Sequence, residues 1–165
     1  MDLGTPQPSQ STPANSFPPA PATLPLWERT MQRARGAACL GQMAMALALA
    51  YQQQALALSL RVLQQVPPAG REDDCVAALV VSHLNVADLQ AQAAELDAAA
   101  HLRCRAHALV QGLLADGRHS PALRQAAVRH SRETLAALFA HVAHHGPHPA
   151  IAQALASPRG VGLQH

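Results

Sequence analysis

Aromatic side chains are nearly missing from this chain: two Phe, one Trp and one Tyr among 165 residues, although 49% of the residues are hydrophobic. Any core must then be built from Ala, Leu and Val. Ala-rich surfaces pack closely as helix against helix, which argues against an all-β sandwich or barrel. Lysine is absent altogether. All 12 basic residues are Arg, scattered and interleaved with ten carboxylates for a net charge of +2, so no stripe of positive potential forms and nucleic acid is not expected as the main ligand. Three cysteines cannot make a fully paired disulfide framework, and none sits in a Cys-x-x-Cys pair. Cys39, Cys75 and Cys104 lie in apolar helical contexts and are expected to be buried, inert small hydrophobes. No stretch reaches the roughly 18 uninterrupted apolar residues of a membrane-spanning helix, so no membrane association is expected.

The first 25 residues lack the basic and apolar regions of a secretory signal. Translation from Met31 with cleavage after Ala48–Ala50 would imitate one, but Gly41 and Gln42 weaken that apolar run, and a cytoplasmic location is expected. What is present at the N-terminus is proline: seven of the 13 lie in residues 1–25, with Gln, Ser and Thr, which predicts a disordered arm.

From Trp27 onward apolar residues recur every three or four positions. Pro67-Pro68-Ala69-Gly70, Asp116-Gly117 and Gly146-Pro147 interrupt the pattern, and Ser120 before Pro121 is a helix N-cap signal. Softer breaks near Tyr51 and Ala94 complete an all-α reading of about six antiparallel helices, at 26–49, 52–66, 72–92, 96–115, 120–145 and 148–157. The helical domain then covers 26–157, with a flexible tail at 158–165. Short links between helices predict stacked αα-hairpins.

The clearest internal unit runs from Asn85 to His107. Asn85, Val86, Ala87 and Leu89 lie on its first helix, Ala94 at the turn, Leu96 after it, and Ala99 and Ala106 on its second helix. This resembles a tetratricopeptide repeat of the kinesin-light-chain style, in which small residues at these positions let two antiparallel helices approach closely. Ala94 replaces the usual Gly, which calls for a turn without positive φ, and Leu96 replaces the usual Tyr. An upstream copy has Ala50 at its turn, Ala55-Leu56 and Val62-Leu63 on its second helix, and Pro68 at its end. A degraded third copy begins at Thr134.

The resemblance implies a concave face lined by the first helix of each pair, where an extended peptide or a helix of another protein binds. Leu84, Asn85, Asp88 and Gln92 are the expected lining, with Asn85 either reading a peptide backbone or serving as an inter-helix hydrogen bond. Ala38, Gly41 and Met45 extend the groove upstream and favour apolar ligands. The expected function is therefore a small bacterial-looking adaptor, not an enzyme, that needs no cofactor. No phosphate loop, nucleophile elbow or His-Glu-x-x-His run is present, and Asp73-Asp74 at a helix start reads as capping.

Two alternatives stay open. One is self-association into a homodimer through Ala- and Leu-rich faces. The other is a metal-binding protein. His130, His141, His144 and His145 fall within an arc of roughly 100° on the helix 120–145, apart from Leu135, Leu138 and Val142. His141 and His145 have helical chelating spacing, His148 could swing in as a third ligand, and imidazoles suit Zn, Cu or Ni. His101, Cys104 and His107 read as structural. His83 is either a groove contact or a helix polar residue.

Overall fold

A computed structural model describes residues 21–40, 45–65 and 67–156. Among the described residues there are six helices and no strand: α1 (Leu24–Ala38), α2 (Met45–Gln64), α3 (Glu72–Gln92), α4 (Leu96–Ala115), α5 (Pro121–His145) and α6 (Pro149–Ala156). No helix among them is long and apolar enough to cross a membrane. The all-α expectation holds. Most of the predicted arm, the predicted tail and Gly41 lie outside the described residues.

Local chemistry sets most of the boundaries. Thr23 caps α1, its Oγ1 accepting from the Leu26 amide at 3.3 Å. Ser120 caps α5 in the same way, accepting from Leu123 N at 3.1 Å with Pro121 at the first helical position. Asp116 opens the loop between α4 and α5 by accepting from the Arg118 amide at 2.9 Å. The three carboxylates of the first turn of α3 complement its dipole, and two of them also make ion pairs: Arg71 with Asp74, and Arg129 of α5 with Asp73 at 2.8 Å.

Two expectations need correction. The first hairpin does not turn at Ala50. α1 stops at Ala38 and α2 runs unbroken from Met45, with Ala48 and Ala55 both buried. The run 46–50 is rich in the best helix-forming residues, Ala and Leu, so it continues a helix and does not turn. Ala94, in turn, does adopt positive φ, at 64°. The Glu95 amide donates to Gln90 O at 2.9 Å and the Ala94 amide to Ala91 O at 3.0 Å, a Schellman ending that fixes the left-handed position at residue 94. A side chain there costs about 1–2 kcal/mol relative to Gly. Ala94→Gly should accordingly raise the unfolding free energy by up to about 1 kcal/mol, after its larger backbone entropy is subtracted, and lift Tm by roughly 2–4 °C. Thermal unfolding by circular dichroism tests this, and an unchanged or lower Tm would show that the position carries no strain.

The helices stack as successive antiparallel pairs. α1 packs on α2, α2 on α3, α3 on α4, α4 on α5 and α6 on α4, while α3 also touches α1 and α5. α3 is thus surrounded. Cys75 and Ala78 join Leu24, Leu58 and Val62 on its α1–α2 side, and Val76 and Val80 join Val110, Leu113, Leu123 and Ala126 on the other. The lone Trp, Trp27, donates from Nε1 to Ser82 Oγ at 2.7 Å and ties α1 to α3. Contacts at both ends show that α3 and α5 run parallel: Asp73 meets Arg129 near their starts, and Asp88 and Gln92 face His141 and His145 near their ends.

The cysteines do not share one environment. Cys75 is fully buried and Cys104 half-buried, and burial pushes both thiols above their ordinary values. Cys39 is exposed, because it caps α1 beyond the packed face of that helix.

Candidate functional site

The parallel course of α3 and α5 opens a cleft of about 520 Å³ between their C-terminal halves. Asp88, Ala91 and Gln92 line it from α3, Arg103 from α4, and Ala140, His141, His144 and His145 from α5. Residues expected in a peptide groove and residues expected in a metal stripe therefore share one concavity. Gln92 also borders a second hollow of about 590 Å³, lined by Met45, Ala46, Leu49, Leu89 and Ala93. A polar cleft and an apolar one meet at that side chain.

Arg103 is the residue that sequence reasoning missed. It sits one turn beyond the fully buried Ala99, so its stem lies in the seam between α3 and α4. Its guanidinium donates to Asp88 Oδ1 at 2.6 Å and to Ala99 O at 3.3 Å. A positive charge i+4 from an obligatory small residue, on the face of α4 that packs, was the available signal.

The four expected groove residues divide. Asp88 and Gln92 line the cleft, whereas Leu84 packs against the core formed by Val76, Val80 and Val110. Asn85 is half-buried, with Nδ2 donating to the buried Gln52 Oε1 at 3.5 Å across to α2. Met45 lines the apolar hollow, but from the start of α2 and not from the first helix of its pair. Ala38 is the exposed last residue of α1.

The α5 arc likewise does not separate core from solvent. His141 and Thr134 are buried on its His side, whereas Leu135 and Phe139 are exposed. α5 is covered twice, by α3 and α4 on one flank and by α6 against Leu138 on another, so it has two buried faces. Thr134 Oγ1 accepts from His107 Nδ1 at 2.9 Å, and burial pushes the His107 imidazole below its ordinary value. Burial does the same to His141, helped by Arg103, and His141 Nδ1 has no hydrogen-bond partner. His83 is fully buried and does not reach the groove.

His141 and His145 lie side by side, ring centroids 4.9 Å apart, and His148 stands edge-on to His141 at 6.2 Å. His148 is nevertheless turned toward α4. Gly146, at φ 90°, swings the chain around the end of α5, and His148 Nε2 meets Asp97 Oδ1 at 2.9 Å. Its ring is T-shaped to His101 at 5.6 Å. Among the described residues, the group that brings three potential ligand atoms within 4.8 Å of one another is Asp97, His101 and His148, not His141, His145 and His148.

The chain belongs to the family described as Protein of unknown function (DUF2753), whose model matches residues 25–160. No curated protein and no solved structure matches it.

Proposed function

For this member of the family, we propose a non-enzymatic adaptor of tetratricopeptide-like hairpins that holds a peptide or helix of another protein in the cleft between α3 and α5. The observation that carries the reading is the join at Gln92 between a polar cleft with fixed hydrogen-bonding groups and an apolar hollow. An amphipathic segment fits such a surface: its apolar residues enter beside Met45, Leu49 and Leu89, and its polar groups meet Gln92, Asp88 and the histidines. Arg103 and Asp88 hold each other in place, so the cleft is preorganised before a ligand arrives. The pairing of helices, with parallel first helices side by side, supports the repeat assignment.

Affinity capture of partners with the full chain, followed by cross-linking mass spectrometry, tests the reading. Gln92→Arg and His145→Glu replace exposed residues, so each should leave Tm unchanged and weaken the captured complex at least about tenfold, or 1.4 kcal/mol. Cross-links should fall on α3 and α5. Asn85→Ala should instead lower stability and leave binding intact. Complexes that survive both cleft substitutions would move the site elsewhere.

A further inference from the structure

A second cluster of potential ligands lies among residues that do not line the cleft. Asp97 lies in the first turn of α4, His101 one turn later, and His148 in the corner between α5 and α6. We infer that Asp97, His101 and His148 form a binding site for a divalent transition metal, Zn²⁺ being the best match, that pins the α5–α6 corner onto the start of α4.

The donor set comes first. Two imidazoles and one carboxylate make a three-ligand zinc set that leaves a fourth position for water. That position faces solvent here, because the Asp97 and His101 side chains are 81% and 61% exposed while His148 is only 15% exposed. One side of the site is thus anchored and the other is open to an arriving ion.

Distances come next. Around a tetrahedral ion with bonds of about 2.0–2.2 Å, ligand atoms stand roughly 3.4 Å apart. One carboxylate oxygen of Asp97 and one ring nitrogen from each of His101 and His148 already lie within 4.8 Å of one another: His148 Nε2 is 2.9 Å from Asp97 Oδ1, and His101 Nδ1 is 3.5 Å from Asp97 Oδ2. Closure needs rotation of the two exposed side chains, the His101 ring turning so that Nε2 joins His148 Nε2 and the Asp97 carboxylate.

Protons and orientation complete the case. His101 Nδ1 donates to Asp97 O at 2.8 Å, which holds the ring in the tautomer whose Nε2 carries the free lone pair. His148 starts in the other tautomer: Nδ1 accepts a long hydrogen bond from Ala150 N at 3.3 Å and Nε2–H points at Asp97. On metal binding the Nε2 proton is lost to solvent and Nδ1 takes one up, so that Nε2 ligates the ion; the Nε2–H bond to Asp97 is replaced by two bonds to a shared metal, and the long contact from Ala150 N opens. Gly146 sets the whole arrangement, since φ 90° with ψ 177° is a conformation open essentially to Gly alone.

The full-length chain, untagged, stripped with chelator and dialysed, is titrated with ZnCl₂ alone by calorimetry, with native mass spectrometry for stoichiometry. One ion per chain is expected. Asp97→Asn, which keeps shape and removes the charge, and His148→Ala should each weaken binding by about 100-fold or more, while His145→Ala in the cleft changes it less than about twofold. Should a variant fail to fold, the wild-type chain decides: zinc must shift the imidazole NMR signals of His101 and His148 ahead of those of His144 and His145. Sub-stoichiometric binding, an unaffected Asp97→Asn variant, or first shifts at His144 and His145 would each overturn the inference.

Discussion

Leu138→Ala should lower the unfolding free energy by about 2–5 kcal/mol, the cost of deleting a fully buried leucine and leaving a cavity. Leu138 is where three helices meet: it packs with Ala100 of α4 and Ile151 of α6, and Cys104, Val142 and Ala154 close around it. α6 has only eight residues, too few to be helical without a partner surface, so its hold on the fold depends on this cluster. The loss should be uneven. Amide exchange in 149–156 should accelerate before that of α3, because α6 touches α4 and sits at the edge of the stack. Leu135, three residues earlier on α5 but 37% exposed, provides the control, and Leu135→Ala should cost less than about 1 kcal/mol. Urea denaturation of both variants separates the two positions; equal effects would mean that α6 does not bury Leu138.

The same pair of leucines shows what the sequence could and could not disclose. Helical periodicity put Leu135, Leu138 and Val142 on one arc and the histidines on another, which is correct as geometry. It does not say which arcs are covered. α5 is gripped by α3 and α4 over His141 and Thr134, so part of the polar arc is buried and part of the apolar one faces solvent. Signals that act over three or four residues were legible: the Ser120 cap with Pro121, the Asp116 turn and the stop at Gly146 all stand where the residues place them. The Ala50 turn failed because alanine marks close packing equally well in the middle of a helix, where Ala48 and Ala55 use it, and at the turn of a repeat.

Part of the site was legible for the same reason. Asp88 and Gln92 follow from the register of the Asn85–His107 unit and do line the cleft, and the i,i+4 spacing of Asp97 and His101 is visible in the chain. Their juxtaposition with His148 is not. It depends on a 47-residue excursion through two helices and on the single left-handed turn at Gly146 that brings the corner back over α4. Arg103 was hidden differently, since a buried guanidinium becomes intelligible only once Asp88 is seen across the seam to receive it.

Acidification should destabilise the fold through His83. This side chain is fully buried in α3; Nδ1–H donates to Leu79 O at 2.8 Å, and Nε2 is enclosed without a partner. A second proton would create an N–H with no acceptor, so burial drives the imidazole below its ordinary value near 6.5, and Arg105 adds to the effect while the Leu79 carbonyl opposes it. The sign follows from linkage. Above about pH 6.5 neither state holds the proton; below it the unfolded chain takes one that the folded chain refuses, so stability falls as pH falls, until the depressed folded value is reached. One such group contributes a slope of up to about 1.4 kcal/mol per pH unit over the interval between its unfolded and its depressed folded value. His107 and His141 are shifted in the same direction and steepen the curve. Urea unfolding of the wild type and of His83→Met across that range isolates the contribution: the variant should lose about one proton's worth of slope. Parallel curves would mean that His83 opens to solvent and titrates freely in the folded protein, which its full burial in the helix that packs on four others argues against.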